Sequence, residues 1–470
     1  MLIVVFLMAA LGSSGSQSTV GFDLLKVRGT VLEKVACLND ASQSYALYLP
    51  SHYSPDRAWP IIYVFDPAAR GKLPVDLYKE AAEKCGYILA GSNNSRNGSA
   101  TMEMAAAQAV WEDTHQRLAL DKERVYAMGL SGGARFATFF ALYCSTCSIA
   151  GVMAQGAGYP TVQAPAADDH FLYYAAIGDE DFNYPEIVAL RDQKDKNGAQ
   201  FKVEIYSGTH QWAPSGVMED ALEWFELKAM QAGKEKLDSS FIQEQIAKLQ
   251  AEAAQAQQSG DILREFYVLR SLAFDFKGLA DVSRFQEQME ALKGSKPYKE
   301  ARRDEQRQVV KQNSLTAGAI TDISQFGQQS GQEIGIAEQR ILSVFSDLRK
   351  QAKRDRRDHL VYVRATNQLY MEGTEDGQQA LRNNQVERAA DYFQLIADAA
   401  PDQSWPLLLL AETRVKMGNK KAALKALEQA VHRGVKSPDA LTTDPELAPL
   451  SQEPEFHKIV QSINGSKSAP

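Results

Sequence analysis

The sequence predicts an α/β fold over roughly its first half, a mainly parallel sheet sandwiched by helices, followed by an all-α helical-repeat domain. Between residues 59 and 232, short apolar runs alternate with segments of helical spacing, as a parallel sheet covered on both faces requires. Past residue 233, Lys, Gln, Glu and Ala dominate, and apolar residues recur at helical spacing. Because the chain has 470 residues, we expect more than one hydrophobic core.

Each element of the first half is placed by an apolar run or a helical pattern. Residues 27–36 and 43–49 alternate as an antiparallel hairpin does. The apolar runs that follow are too continuous for half-exposed strands and indicate buried ones. Strands are expected at 59–65, 87–90, 125–128, 149–154, 171–177 and 201–206, and helices at 75–84, 101–118, 185–196 and 215–232.

The segment Gly129-Leu130-Ser131-Gly132-Gly133 has the G-x-S-x-G spacing of a nucleophile elbow. It lies between a short apolar strand and a helix, and its small residues let both pass close to a strained turn. Such a turn would expose Ser131 Oγ at the carboxyl end of the sheet. The N–H of Gly132 would then point at a developing oxyanion. An ordinary glycine-rich turn can have the same sequence, so the choice between the two depends on whether a suitable acid and histidine follow in the chain.

Residues 1–230 resemble the α/β-hydrolase family, through this elbow and through the acidic residues and the histidine that follow it. In that family the acid and then the histidine come after the serine in the chain. The loop after the strand at 171–177 contains Asp179 and Asp181, and the family's G-x-x-D arrangement selects Asp181, with Asp179 as the alternative. Of seven histidines, only His210 lies between this acid and the end of the α/β part. It follows the last strand, in the loop that the family's histidine occupies.

The resemblance implies a catalytic triad of Ser131, His210 and Asp181 that works through an acyl-enzyme. His210 Nε2 would take the serine proton as Oγ attacks an ester carbonyl. Asp181 would hold the imidazole tautomer and balance the charge of the imidazolium. This chemistry needs no metal and no organic cofactor.

The oxyanion donors are expected on two main-chain segments. One is the N–H of Gly132, and the family's second donor lies in the loop after the third strand, here residues 66–69. That loop lacks the family's common His-Gly. Because Pro67 has no N–H, Ala68 is the expected donor.

For the substrate the sequence offers only residues at strand ends, which would rim a pocket or simply belong to surface loops. No long insertion interrupts the strands, so we expect an open site. This favours an esterase for acyl, acetyl or feruloyl-type esters over a lipase with a lid, and residues 208–212 are similar to feruloyl and acetyl esterases. The candidate substrate-binding residues are Asn94, Arg96, Gln155, Phe182, Tyr184 and Trp212.

The second half is interpreted as helix pairs that end in a repeat. Residues 233–374 form a helical linker region, in which the polar, weakly periodic segment 297–335 suggests a mobile connector or a poorly packed helix. Residues 384–393 overlay 418–427 at an offset of 34. This period resembles the tetratricopeptide repeat and implies repeats with a C-terminal cap over residues 375–465. Such repeats would bind a protein partner or mediate self-association.

Two other functions fit parts of the pattern. A serine peptidase of the prolyl-oligopeptidase type would share the fold and the triad order, although the propeller or gate typical of such enzymes is not visible. Alternatively, the hydrolase part is a non-catalytic scaffold and the repeats bind a protein partner. All of these interpretations place the hydrolase-type domain at residues 19–232.

The N-terminus, the cysteines and the charge bear on location and partners. Residues 1–11 are apolar and small residues follow, which suits a signal peptide at 1–18 and export to a periplasm or the medium, although no Lys or Arg precedes the run. The run is too short to be a stable membrane span. Cys144 and Cys147 form a C-x-x-C that closes a helix, which favours a structural disulfide or two inert thiols over a redox motif. The net charge of −8 argues against nucleic acid as a partner.

Overall fold

The structure, a computed structural model, describes residues 24–160, 170–197, 200–329 and 332–465. The expected signal peptide at residues 1–18 lies outside the described residues. A short 3-10 helix at Leu24–Val27 leads into the sheet.

Eight strands of the described chain form one sheet. They are β1 (Val31–Ala36), β2 (Ser44–Tyr48), β3 (Trp59–Phe65), β4 (Ile88–Ser92), β5 (Leu120–Leu130), β6 (Gly151–Gln155), β7 (Leu172–Gly178) and β8 (Phe201–Tyr206). Their order in the sheet is β1-β2-β4-β3-β5-β6-β7-β8. β2 is antiparallel to both of its neighbours, and every neighbouring pair from β4 to β8 is parallel. The carboxyl ends of the parallel strands therefore share one edge, which is where ligands bind in open α/β sheets.

Helices cover both faces of this sheet. They are α1 (Lys72–Cys85), α2 (Ala100–Arg117), α3 (Gly132–Tyr143), α4 (Tyr184–Asn197) and α5 (Ser215–Gln231). α1 and α5 pack on one face, and α2, α3 and α4 pack on the other. Successive side chains of β3 alternate between the two cores, with Ile61 and Tyr63 in one and Ile62 and Val64 in the other. This burial on both faces explains why the strands are continuous apolar runs in the sequence.

The second half is helical throughout its described residues. Its helices are α6 (Ser239–Ser259), α7 (Ile262–Phe274), α8 (Ser283–Gly294), α9 (Lys296–Phe326), α10 (Gln332–Arg354), α11 (His359–Arg382), α12 (Val386–Ala399), α13 (Trp405–Lys416), α14 (Lys420–His432), α15 (Asp439–Thr442) and α16 (Pro454–Gly465). α6, α7 and α8 share a core with the end of α5. α9 to α12 form a second core, and the end of α11 packs with α12 to α16 in a third.

The two predicted fold classes are confirmed, and the helical half differs from expectation in one place. α12 and α14 begin 34 residues apart, at Val386 and Lys420, as the sequence offset predicts. Of the two states expected for the segment 297–335, the structure shows the helix, because most of the segment belongs to α9, a helix of 31 residues. The boundary expected between residues 374 and 375 falls inside α11, which runs through it without a break.

The cysteines fall into two classes. Cys144 and Cys147 form a disulfide just after α3, one of the two states expected. Cys37 and Cys85 are free, and burial raises the pKa of each thiol to about 12. Within the described ranges, no three His, Cys, Asp or Glu side chains are grouped as metal ligands would be, and no helix has the length and apolar character to cross a bilayer.

Candidate active site

The nucleophile elbow follows β5 directly. Ser131 has φ 55° and ψ −122°, a conformation that residues with side chains rarely adopt. Strand and helix pass so close that a Cβ added to Gly129 would lie 2.1 Å from the carbonyl oxygen of Gly133, and one added to Gly133 would lie 2.1 Å from that of Phe65. The N–H of Ser131 donates to the carbonyl of Gln155, 2.8 Å away at the end of β6. These contacts hold the serine at the carboxyl edge of the sheet.

His210 and Asp181 meet at the same edge. Asp181 lies in residues 179–183, the loop after β7 that we call the acid loop, and His210 follows β8. Nδ1 of His210 lies 2.8 Å from Oδ2 of Asp181, whose side chain is fully buried. Asp179, the alternative acid, instead accepts the N–H of Gly208 at 3.0 Å. The structure therefore pairs the histidine with Asp181.

Gly156 connects the serine to this pair. It follows Gln155, whose carbonyl accepts the N–H of Ser131, and it has a positive φ of 65°. A Cβ added to Gly156 would lie 3.1 Å from Oδ2 of Asp181 and 3.1 Å from Nδ1 of His210. Nε2 of His210 is buried and has no hydrogen-bond partner among the described residues. The three predicted triad residues thus lie after β5, β7 and β8 on one edge of the sheet, and Nε2 of His210 is not bonded to the hydroxyl of Ser131 in this structure.

The two expected oxyanion donors differ in their availability. The N–H of Gly132, at the start of α3, has no acceptor among the described residues, as is usual in the first turn of a helix. The N–H of Ala68 already donates to Oδ1 of Asp66 at 2.9 Å. That carboxylate is also held by Arg70 and by the indole N–H of Trp212. An oxyanion at Ala68 would therefore have to compete with a charged acceptor.

Asn97 lies beside the elbow and is not singled out by the sequence. A Cβ added to Gly132 would lie 2.0 Å from Oδ1 of Asn97 and 2.8 Å from its Nδ2. The N–H of Asn97 donates to the carbonyl of Pro67 at 2.9 Å, which ties its loop to the turn after β3. The residue is exposed, and its side-chain amide has no hydrogen bond to another described residue. Only the approach to Gly132 distinguishes it from the neighbouring asparagines, and that approach leaves no signal in the sequence.

Gln155 and Trp212 do not rim a pocket as expected. Gln155 is buried, and its Oε1 accepts the hydroxyl of Tyr78 and the N–H of Ala213. Trp212 is 8% exposed and donates from Nε1 to Asp66 at 3.0 Å. Both side chains satisfy buried polar groups, which corrects their assignment to substrate binding.

Asn94 and Tyr184 also have structural partners rather than a place at the substrate. Asn94 accepts the N–H of Ser44 and donates to the carbonyl of Ser42, which pins the loop after β4 to the hairpin. Tyr184 is buried, and its hydroxyl donates to Glu305 of α9 at 3.2 Å. The partners of both residues are distant in the chain, so the sequence alone gave no sign of these structural roles.

Phe182 and Arg96 remain as candidates at the site. The ring of Phe182 lies 4.4 Å from that of His210, centroid to centroid, and is half-buried. Arg96 is exposed, and its main chain bridges that of Ala68 in the turn after β3. Phe182 therefore supplies an apolar surface beside the histidine, and Arg96 lies at the outer edge.

The helical half packs against the acid loop. Three of the loop's main-chain carbonyls accept hydrogen bonds from side chains of α9 and α11. The expectation of an open site is therefore wrong on this side. It rested on the absence of an insertion between strands, whereas the covering helices come from the far end of the chain.

α11 also carries Glu375, which interacts electrostatically with His210 and Arg135. Burial raises the pKa of Glu375 in α11, and Coulomb interactions with His210 and Arg135 oppose this rise. Arg135 lies four residues after Ser131 and forms a two-pronged ion pair with Glu186, with both N–O distances 2.7 Å. α11 therefore brings a carboxyl group within electrostatic reach of the histidine.

Comparisons with known proteins address both halves. Residues 380–442 match the family model of the tetratricopeptide repeat, which confirms the repeat expected there. No curated protein matches the sequence. Among solved structures, S-formylglutathione hydrolase from Staphylococcus aureus is similar at 14% identity and a TM-score of 0.32, over 39% of this chain and 92% of its own.

Two further solved structures are similar over the same half. The feruloyl esterase module from Clostridium thermocellum, complexed with sinapinate, has 16% identity and a TM-score of 0.34 over 42% of this chain and 86% of its own. Dipeptidyl peptidase 4 from Porphyromonas gingivalis has 14% identity and a TM-score of 0.33 over 41% of this chain and 34% of its own. Because these values are low, the activity of this chain has to be inferred from its own residues.

Proposed function

We propose that this chain is a serine hydrolase of carboxylic esters, with Ser131 as nucleophile, His210 as general base and Asp181 as the residue that orients the histidine. The observation that carries the proposal is the 2.8 Å contact between His210 Nδ1 and Asp181 Oδ2, beside an elbow that holds Ser131 in a strained conformation. A histidine in an ordinary solvated loop would not be expected to contact a buried carboxylate beside such an elbow.

The proposed reaction follows from these positions. Ser131 Oγ attacks the ester carbonyl carbon while His210 Nε2 takes the hydroxyl proton. The resulting oxyanion accepts the N–H of Gly132 and, in place of the N–H of Ala68, the side-chain amide N–H of Asn97. Collapse of this intermediate expels the alcohol, which takes the proton from His210, and leaves an acyl-serine.

The second half-reaction returns the enzyme to its starting state. His210 takes a proton from water, whose oxygen attacks the acyl-serine carbonyl. The carboxylic acid leaves as the serine oxygen regains the proton from His210. Asp181 stays ionised throughout and balances the imidazolium charge.

Covalent labelling tests the assignment of the nucleophile. A fluorophosphonate probe should label the purified protein, and Ser131→Ala should abolish both labelling and hydrolysis of p-nitrophenyl acetate. Ser148→Ala is a matched control, because Ser148 also has a positive φ, 49°, but lies after the disulfide and outside the elbow. Labelling that persists in Ser131→Ala would remove the proposal.

The size of the acyl group is open to a direct measurement. The half-buried ring of Phe182 beside His210 suits a small or planar acyl group, such as an acetyl or feruloyl group. A series of p-nitrophenyl esters of increasing chain length should show an optimum at short chains. A steady rise towards long chains would contradict this choice of ester.

One observation favours a second candidate, a serine peptidase of the prolyl-oligopeptidase type. α9 and α11 lie against the acid loop and cover this side of the site, as a gate would. Comparison of p-nitrophenyl acetate with a proline anilide separates the two activities, and we expect the ester to be the better substrate.

The remaining parts of the chain are assigned roles that support this activity. We propose that the tetratricopeptide repeat binds a protein partner or another copy of the chain, since repeats of this kind form concave surfaces. If the chain proves to be unreactive, this binding becomes its main function. The disulfide between Cys144 and Cys147 supports the proposal of export, because disulfides persist in oxidising compartments.

A further inference from the structure

Side chains of the helical half hold the acid loop from one side. α11 supplies two donors and α9 supplies one, and each donates to a main-chain carbonyl of the loop. The donor–acceptor pairs are Arg364 and Asp179 (2.8 Å), Asn367 and Glu180 (3.2 Å), and Gln312 and Phe182 (2.9 Å).

The other side of the loop is held by the strand and loop that carry the histidine. The N–H of Asp179 donates to the carbonyl of Tyr206 at 2.8 Å, and that of Glu180 donates to the carbonyl of Gly208 at 2.9 Å. The main chain just before Asp181 is therefore bonded on both sides, with its N–H groups towards β8 and its carbonyls towards the helices. Its position depends on both halves of the molecule.

Arg364 is the most enclosed of the three donors and has an unusual set of partners. It is 2% exposed, yet no carboxylate lies within ion-pair distance of it in the described parts of the chain. Its other nitrogens donate to the side-chain oxygens of Gln312 (2.9 Å) and Gln308 (3.3 Å), and the guanidinium lies 4.2 Å above the ring of Tyr184. Burial lowers its pKa. Burial of a cation without a counterion is energetically unfavourable, which suggests that Arg364 has a specific role at this position.

We propose that Arg364 is a positioning residue, which holds the acid loop so that the carboxylate of Asp181 reaches Nδ1 of His210. The helical half is then part of the hydrolytic apparatus and not only a binding module. The catalytic consequence rests on the function proposed above. Misplacement of an orienting group by about 1 Å costs about 100-fold in rate, which sets the expected scale.

The test compares variants of the full-length protein. Arg364→Ala removes all of the donors, whereas Arg364→Lys keeps a positive charge that can still reach one carbonyl. Asn367→Leu removes the second donor and remains informative if Arg364→Ala fails to fold. Arg307→Ala is the matched control, because Arg307 pairs with Asp304 and Asp358, which both belong to the helical half and not to the acid loop.

Two readouts separate positioning from a general loss of stability. We expect kcat of Arg364→Ala on p-nitrophenyl acetate to fall about 10- to 100-fold with KM little changed, Arg364→Lys to recover part of the loss, and Arg307→Ala to keep its kcat. We also expect the far-downfield proton signal of the hydrogen bond between His210 and Asp181 to broaden or disappear in Arg364→Ala and to persist in Arg307→Ala.

The outcomes distinguish this inference from the proposed function. If folded Arg364→Ala and Asn367→Leu retain kcat within about twofold and an unchanged downfield signal, the positioning role is wrong while Ser131 remains the nucleophile. If the wild-type protein shows no turnover that depends on Ser131, the proposed function fails. The downfield signal still tests the hold on the acid loop in that case, because it needs no substrate.

Discussion

Ser131 adopts a backbone conformation that is energetically unfavourable for a residue with a side chain. Its φ of 55° and ψ of −122° lie in a region that glycine adopts freely and other residues avoid. Such a conformation costs about 1–3 kcal/mol and persists only where neighbouring contacts enforce it. Here these contacts are the close approach of Gly129 to Gly133 and the hydrogen bond from Ser131 to Gln155.

This strain predicts a difference between two inactive variants. Ser131→Gly should have a free energy of unfolding about 1 kcal/mol higher than Ser131→Ala, because relief of about 1–3 kcal/mol of strain exceeds the entropy penalty of about 0.5–1 kcal/mol for glycine. Thermal unfolding of the two variants measures the difference. At Ser324, inside α9, the same pair of substitutions should give the opposite order, and the same order at both sites would show that the elbow is unstrained.

Asn97 gives a second prediction at the level of single residues. Asn97→Ala should lower kcat by about 100- to 1,000-fold with little change in KM, because it removes a donor that acts on the transition state. Asn39→Ala, at an exposed asparagine between β1 and β2, should have no such effect. A kcat for Asn97→Ala within twofold of wild type would leave the N–H of Ala68 as the better second donor.

The sequence predicts the candidate site residues whose place follows from the order of strands and helices. It does not predict those whose role is set by contacts with distant residues. Ser131, Asp181 and His210 each follow a strand, so the alternation of elements brings them to one edge. Ala68 was expected as a donor because it is the first residue after Pro67 with an N–H, yet Asp66 takes that N–H. Aspartate side chains often accept the N–H two residues further on, so Asp66 was a signal in the sequence that the choice of Ala68 did not take into account.

At the level of elements, α9 shows why a helix that buries polar side chains is expected to be poorly packed. Its buried residues include Glu305, Gln312 and Thr316, all polar. Glu305 and Gln312 meet charged groups and a main-chain carbonyl of the α/β half, and Thr316 donates to carbonyls of α9 itself, so none of the three needs an apolar core. The hydrophobic period that identifies the other helices is therefore weak over this stretch, although the helix itself is long.

The repeat contains a carboxyl group whose titration should affect stability. Burial and the negative charge of Asp444 raise the pKa of Glu412 in α13 to about 8. A raised pKa means that the folded state holds the proton more tightly than the unfolded state does. The protonated carboxyl group of Glu412 therefore contributes fully to the stability of the folded protein below a pH of about 4.5. This contribution is lost as the pH rises through about 8.

Glu412→Gln isolates this contribution. The melting temperature of the wild type should fall between pH 5 and pH 9 more steeply than that of Glu412→Gln, and the variant should be the more stable of the two at pH 9. Glu428→Gln, at an exposed residue of α14, should follow the wild type. Parallel curves for wild type and Glu412→Gln would contradict the raised pKa.

At the scale of the whole molecule, buried charges join the two halves. Glu305 of α9 is 4% exposed and accepts hydrogen bonds from Arg191 (2.5 Å) and Tyr184 (3.2 Å) of α4. Arg302 of α9 also pairs with Glu305. The sequence gives no sign of a contact between residues that lie more than 100 positions apart. The predicted division into two domains therefore did not include this contact between α4 and α9.

The contact should make the two halves unfold together. Glu305→Ala should lower the free energy of unfolding by about 3 kcal/mol, because it leaves the buried Arg191 with only a longer ion pair to Asp192 (3.7 Å) and the ring of Tyr267. Urea unfolding followed by tryptophan fluorescence and by circular dichroism measures the change. Glu290→Ala, which removes an exposed pair with Lys293, should cost less than about 1 kcal/mol. Equal effects of the two variants would show that the halves are joined elsewhere.

α11 extends from the acid loop into the tetratricopeptide repeat as one unbroken rod. Its first half carries Arg364 and its last residues lie within the matched repeat, so a tilt imposed at one end is transmitted to the other. A peptide that docks on the repeat and shifts this rod would change the turnover rate. If that peptide also changes the affinity for a transition-state analogue bound at Ser131, thermodynamic reciprocity requires the analogue to change the affinity for the peptide by the same factor.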